Sequence, residues 1–354
     1  MHPGNRTTHW FRKNISRKGR IVDVQDLNAL TEHHMAACKP YADYVRSMFP
    51  AQRPGDLAAV PYLPVRAFKR FDLKSVPDAE VYKVMRSSGT SGEHSRIYLD
   101  KETAQQQTRS LIDIFAASFG KARFPMLVID AESTVKDRLK FSARTAAING
   151  FSMFSRSRCF ALKDDMTLDL DRVMAFLQTH KGRRIFVFGF TFLIWTALVE
   201  QLRQTGKTLD LQDAFILHGG GWKKLEDRKV SNVLFKQALA ETTRCKSVHN
   251  YYGMVEQTGT IFMECAHGRL HASPQSDVII RDPQTHEPLP HGRPGLIQVF
   301  STIQKSYPGH ALLTEDIGQT HAGSDCPCGH TGTIVEIFGR LQKAEVRGCS
   351  DAYS

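Results

Sequence analysis

Arg184-Ile185-Phe186-Val187-Phe188 leads through Gly189 into an apolar helical stretch over residues 191–204, stopped by Gly206. Ala214-Phe215-Ile216-Leu217 then runs into His218-Gly219-Gly220-Gly221. Two short apolar runs separated by a helix-length segment read as buried strands joined by a crossover, the repeating unit of a parallel sheet. Working outward, residues 124–130 read as another buried strand and residues 101–119 as a helix ended by Gly120. Leu170, Val173, Met174 and Leu177 follow helical spacing and place a helix over 168–180. Residues 26–44 have helical character. Residues 79–86 and 96–99 read as strands flanking a Gly/Ser/Thr turn, and after Ser247 short strands follow at 278–281, 296–301 and 333–338. The expected fold is α/β, a mostly parallel sheet with helices on its faces. Such sheets bind ligands at the carboxyl ends of their strands.

Length and composition fit this fold. The chain has 354 residues, 41% hydrophobic, with 21 Phe, enough for a large core in one big domain or two smaller ones. No apolar run approaches the roughly 18 residues that span a bilayer. Residues 1–20 are basic and polar and lack the apolar centre of a signal peptide. A cytoplasmic protein with no membrane span is expected. The net charge is +11, from 47 Lys+Arg against 36 Asp+Glu, which suits an anionic ligand or an acidic partner. No zinc-finger, homeodomain or RNA-recognition signature accompanies it, so no nucleic-acid partner is expected. Seven cysteines, an odd number in a long chain, read as reduced thiols.

Ser87-Ser88-Gly89-Thr90-Ser91-Gly92 can present hydroxyls and backbone N–H groups to a phosphate. It is neither a Walker A loop nor a dinucleotide fingerprint, and alone it also fits an ordinary hairpin turn. Four further segments follow in order: Gly219-Gly220-Gly221, Tyr252-Gly253-Met254-Val255-Glu256, Thr314-Glu315-Asp316 and Gly339-Arg340. Together they resemble the adenylate-forming superfamily of acyl-CoA synthetases. The resemblance implies that Ser87 to Gly92 grips the triphosphate of ATP and that Gly219 to Gly221 lines the adenine pocket. Tyr252 and Gly253 would stack on adenine, Glu256 would hold Mg2+, and Asp316 would bind the ribose, with Glu315 replacing the family's Gly. Arg340 belongs to the Gly-Arg pair that closes the domain. Adenylation, attack of a carboxylate oxygen on the α-phosphate with loss of pyrophosphate, mainly demands positioning and charge neutralisation. Mg2+ on a carboxylate serves the second need.

Superfamily members continue past the Gly-Arg pair into a mobile lid domain, whereas 14 residues follow Arg340 here. The expectation is therefore an adenylate-forming large N-terminal domain without that lid. It divides into an accessory helical segment at 1–79, an α/β domain at 80–340 and a tail at 341–354. This form resembles the acyl-protein synthetases, the fatty acid-activating subunit of the bacterial bioluminescence fatty acid reductase complex and its relatives. The resemblance rests on Phe188-Gly189-Phe190-Thr191-Phe192, Gly219-Gly220-Gly221-Trp222-Lys223-Lys224 and Arg347-Gly348-Cys349. It implies that a fatty acid is adenylated, passed to Cys349 and delivered to a reductase or carrier protein. Coenzyme A or a carrier protein takes the acyl group if Cys349 does not. An aryl-CoA ligase of the phenylacetate type, or an inactive acyl- or nucleotide-binding partner, are the alternatives. A thiolate attacks acyl-adenylates well, and Lys343 and Arg347 would lower the Cys349 pKa. Lys223 is a candidate to bind phosphate or carboxylate in place of the lid's lysine. Phe188, Phe190 and Trp195 are candidates for an acyl pocket, or simply core.

Cys265-x5-His271 and Cys326-Pro327-Cys328 offer three thiols and one imidazole, a tetrahedral structural set for Zn2+. Free buried thiols are the other reading, and His267, His321 and His330 are rival ligands. Similar sets occur in phenylacetate-CoA ligase-like members of the superfamily.

Overall fold

The computed structural model describes residues 22–49, 54–87, 94–136, 143–222 and 228–341. Along the chain the strands are β1 (Leu63–Pro64), β2 (Lys83–Arg86), β3 (Arg96–Leu99), β4 (Phe124–Ala131), β5 (Ser155–Leu162), β6 (Phe186–Phe190), β7 (Phe215–Gly219) and β8 (Ser247–Tyr252). They continue as β9 (Phe262–Glu264), β10 (Leu270–His271), β11 (Ser276–Arg281), β12 (Pro288–Leu289), β13 (Gly295–Ser301), β14 (Ala311–His321) and β15 (Ile334–Arg340). Among the described residues β2 and β3 form a separate hairpin, and thirteen strands form one mixed sheet of order β12-β11-β13-β14-β15-β10-β9-β8-β7-β6-β4-β5, with β1 beside β14. The half β5-β4-β6-β7-β8 is parallel. The other half is antiparallel except for β1, and it joins the first where β9 pairs with β8.

The parallel half follows from its alternation. Phe186, Phe188 and Phe190 point to one face with Met126, Val128, Phe215 and Leu217, under helices Lys101–Phe119 and Ala143–Phe151. Val187, Leu127, Ile129 and Ile216 point to the other, under helices Leu170–Thr179 and Asn232–Thr243 and the helical segment 191–205. Both faces are covered, which is why these strands read as near-continuous apolar runs. Each side chain buried this way contributes about 1.5–3 kcal/mol.

Local signals set the helix ends. Asp100 accepts the Thr103 N–H (2.7 Å) and opens Lys101–Phe119, which stops at Gly120 with φ +90°. The segment 191–205 carries a π-helical turn at Ile194–Val199 and ends at Gly206 in the left-handed region (φ +64°). The single helix expected over 26–44 is two, Val24–Ala37 and Lys39–Met48, parted at Cys38 with Pro40 in the second helix's first turn. The strand before the Gly/Ser loop starts only at Lys83, because residues 78–80 form a 3₁₀ turn. Gly189, expected to turn the chain, instead lies inside β6 opposite Ile129 and His218. A Cβ there would meet Ile129 Cβ and Ile194 Cγ1 at 2.9 Å, so packing requires the glycine.

The segment 22–79 is tied to the antiparallel half. β1 pairs with β14, and the rings of His34 and Tyr41 lie 5.1 and 5.9 Å from that of His310. No helix among the described residues is long and apolar enough to cross a membrane.

Candidate nucleotide site and cysteine cluster

β7 and β8 end side by side, with Gly219 opposite Tyr251. A Cβ on Gly219 would come within 2.7 Å of the Tyr251 ring, and one on Gly220 (φ +78°) within 2.4 Å of the Phe190 ring. Bare backbone flanked by aromatic rings is what remains. His218 beneath is buried. The Thr191 hydroxyl donates to the Gly219 carbonyl (3.1 Å), which leaves it to accept from His218 Nδ1–H (2.9 Å). Among the described residues His218 Nε2 is buried without a partner. Burial drives the ring down to about 3, so it is neutral at physiological pH.

Across the seam between the two halves, the Tyr252 hydroxyl donates to Asp316 Oδ2 at 2.7 Å. Asp316 pairs in register with Arg340, whose Nε lies 3.6 Å from Asp316 Oδ1. Thr314 shapes this turn: its hydroxyl donates to the Ile297 carbonyl (2.8 Å) and accepts the Asp316 N–H (3.1 Å). The replacement of Gly by Glu315 is accommodated by an ion pair with Arg66. The Leu341 N–H donates to the Glu315 carbonyl (2.8 Å), so the chain leaves β15 beside Asp316.

Glu256 sits in a 3₁₀ turn after β8, 7% exposed, with its carbonyl accepting from the Tyr307 hydroxyl (2.9 Å). Burial raises its carboxyl above the usual range, opposed by the nearby Ser95 hydroxyl and by Lys69 and Arg340. Ser95 also closes the neck of the Gly/Ser loop: its N–H donates to Ser87 Oγ (2.9 Å), and the Ser87 N–H donates to its carbonyl (3.2 Å). The base of the loop and the acid thus meet at Ser95. Gly253 is demanded by Ile261, whose Cγ2 would lie 2.8 Å from a Cβ.

Tyr252, Asp316 and Arg340 are brought together, with Glu256 and Ser87 beside Ser95. Ser88, Gly89, Thr90, Ser91, Gly92, Lys223 and Cys349 lie outside the described residues. The aromatic trio expected to line one acyl pocket is divided. Phe188 and Phe190 fill the phenylalanine-rich face, whereas Trp195 packs on the opposite face against Trp222 and Phe235. Strand alternation gives 188 and 190 one face, and the chain has turned into its helix before 195.

Cys265, His271, Cys326 and Cys328 place their ligand atoms within 4.8 Å of one another. Cys265 Sγ is 3.7 Å from Cys326 Sγ, and Cys328 Sγ is 3.4 Å from His271 Nε2. The backbone N–H groups of His267 and His330 donate to Cys265 Sγ and Cys328 Sγ, both at 3.4 Å. His271 Nδ1 lies 3.2 Å from the Gly332 carbonyl, which turns Nε2 toward the sulfurs. Of the rival histidines, His267 and His330 bring their backbone to the sulfurs. His321 points at Glu336 (3.8 Å).

Reading the sequence missed Ser95, Tyr251 and Glu264. Glu264 is a buried carboxylate accepting from Asn250 N–H (2.5 Å), Asn232 Nδ2 (2.6 Å) and Lys236 Nζ (2.8 Å), so it ties β8 to β9 and to a helix. Only its place immediately before Cys265 hinted at a fixed strand end.

Against known proteins, the family model described as acyl-protein synthetase, LuxE, matches residues 9–354. A long-chain-fatty-acid–luciferin-component ligase of Vibrio harveyi is 27% identical, over 83% of this chain and 77% of its own length. A protein of the same name from Aliivibrio fischeri is 21% identical, over 90% and 84%. Among solved structures, 2-hydroxyisobutyryl-CoA ligase in complex with 2-HIB-AMP and CoA superposes with TM-score 0.68 at 17% identity, covering 90% of this chain and 74% of its own. ATP-bound MatB from Rhodopseudomonas palustris gives 0.50 at 16%, covering 75% and 49%. The structural neighbours establish a shared fold.

Proposed function

The chain belongs to the acyl-protein synthetase family, and from that premise we propose how its residues divide the work. It is an ATP-dependent, AMP-forming acid–thiol ligase. The acid is a fatty acid, as the names of the Vibrio harveyi and Aliivibrio fischeri relatives suit. ATP places its base against Tyr252, Gly253 and the Gly219 to Gly221 backbone, its ribose hydroxyls toward Asp316, and its phosphates toward Ser87 to Gly92. The observation that carries this reading is the Tyr252–Asp316–Arg340 group beside buried Glu256. Burial disfavours the charged carboxylate of Glu256 and a bound cation would offset that cost, so Glu256 would hold Mg2+, which neutralises phosphate charge. The acid's carboxylate attacks the α-phosphate and pyrophosphate leaves. The Cys349 thiolate then attacks the acyl carbonyl and AMP leaves, with Lys223 helping to hold the anionic groups. The thioester is handed to an acyl-accepting partner protein.

Zn2+ in the cysteine cluster is a structural part of this reading. Three thiols and an imidazole with N–H···S support make a closed tetrahedral set. The cluster clamps the start of β15, which ends in Arg340, to β10. Metal analysis should return about one zinc per chain, falling to none in Cys326→Ser; a zinc-free wild type overturns this part.

Intact mass after incubation with ATP, Mg2+ and a panel of acids tests the whole. A hydroxylamine-sensitive acyl adduct is expected on wild type and not on Cys349→Ser, which still forms AMP-acyl intermediate. No adduct on either, with AMP released only when coenzyme A is added, overturns self-acylation.

A further inference from the structure

The parallel half has a second edge, opposite the nucleotide site, where its strands begin. The strand starts line up: Phe124 pairs with Ser155, Phe186 with Phe215, and Phe215 with Ser247. The segments feeding them are bonded together. Phe215 N–H donates to the Ile185 carbonyl, and the N–H groups of Leu209 and Leu211 donate to the Thr242 and Thr243 carbonyls, all at 2.9–3.0 Å. Strands about 4.8 Å apart make this a rim roughly 19 Å wide.

The feeding segments are basic. Lys121 and Arg123 precede β4, and Arg156 and Arg158 stand on the first half of β5. Lys181, Arg183 and Arg184 precede β6; Lys207 lies in the return to β7, and Arg244 and Lys246 lead into β8. All are exposed. Against them stand Asp210, Asp213 and Glu241, and among the described residues the one ion pair on this rim joins Arg203 to Glu241. The site edge, by contrast, interleaves Asp130, Glu132, Asp164, Asp165 and Asp169 with its cations. None of the exposed large hydrophobic residues lies on the rim among the described residues.

We propose that this rim docks on an anionic bilayer surface, with the nucleotide edge facing the aqueous side. Protein interfaces centre on apolar or aromatic anchors, which the rim lacks among the described residues. Nucleic-acid readers insert a helix or strand into a groove or stack bases on exposed rings, and strand starts and turns offer neither. Headgroups reward the number of cations that reach the surface within a Debye length, about 8 Å, so a level rim of many cations is the matching shape. The inference holds whichever acid the enzyme activates, since none of these residues belongs to the site.

The test is co-sedimentation of the full chain with vesicles of phosphatidylcholine alone or with one third phosphatidylglycerol. Binding is expected to the anionic vesicles only and to vanish at about 0.5 M salt. Combined Arg156→Glu, Arg183→Glu, Lys207→Glu and Lys246→Glu should lower the partition by at least about 100-fold, with ATP–pyrophosphate exchange and melting temperature unchanged. A control reversing Lys39, Arg46, Arg109 and Arg293 should bind like wild type. Equal binding to neutral vesicles, binding to neither, or a rim variant that matches the control overturns the proposal. So does charge-dependent retention on duplex DNA without vesicle binding, which would assign the rim to nucleic acid.

Discussion

Between the helices of the parallel half, the buried groups are almost all apolar: phenylalanines on one face, branched aliphatics on the other. The antiparallel half buries Asp277, Arg281, Gln298, Gln304, His310 and Thr314. Arg281 shows how these are kept: it donates to Gln298 and to the carbonyls of His286 and Ala58, and its guanidinium lies 4.5 Å over the Tyr62 ring. One half is limited by packing and the other by bonding. The candidate site lies on the seam and takes a different contribution from each. The parallel half supplies shape, through Gly219, Gly220 and their aromatic neighbours. The antiparallel half and the seam supply charge, through Glu256, Asp316 and Arg340.

The contrast is open to measurement. Phe188→Ala in the packed half should cost about 3–5 kcal/mol in urea unfolding. A small loss joined to a changed acyl-chain preference would break the packing assignment and return Phe188 to the pocket. Glu256→Gln on the seam should lower acyl-adenylate formation about 10²–10³-fold while the melting temperature holds or rises, because the amide has no charge to keep buried. Falling stability alongside activity would make Glu256 structural instead.

Acid should act on the buried imidazoles. His310 is held down to about 3 by burial, and His34 well below its usual value by burial and by His310. In the unfolded chain both take up a proton near pH 6.5, so below that pH the unfolded state binds more protons. Their contribution is intact above 6.5 and is lost as pH falls toward the folded values. His310 should cost about 2 kcal/mol at pH 5, with His34 adding in the same direction, and His310→Asn should flatten the measured slope. An unchanged slope would remove His310 from the account. The smallest effect is a pair. Gly220→Ala meets the Phe190 ring and a left-handed φ, whereas among the described residues Gly221→Ala meets only the φ of +62°. The first should be less stable by about 1–2 kcal/mol, and equal losses would show that the ring yields.

The same division governs what could be read from the sequence. The packed half was legible because apolar period and helix ends are local: Lys101–Phe119 was read from its helical character and its stop at Gly120. Its errors lie where a distant contact overrides a local signal, as at Gly189, where two isoleucines dictate the glycine. In the bonded half and at the seam the residue types of Tyr252, Asp316 and Arg340 were visible, and the structure places them together. Ser95 and Glu264 were not visible, because a serine or glutamate finds its partners through sheet order, which no local pattern states. Two-residue strands such as β10 and β12 carry no period at all.

The bond from the Leu341 N–H to the Glu315 carbonyl anchors the chain beside Asp316, and eight peptide links join Leu341 to Cys349. Fully extended, they reach about 28 Å. A thiol confined to a sphere of that radius has a local concentration on the order of 20 mM, whatever path the chain takes. A free thiol acceptor would have to approach that concentration before it competed on equal terms for the adenylate. On the proposed acylation of Cys349, loyalty of the acyl group to its own polypeptide would follow from tether length rather than from a selective binding pocket.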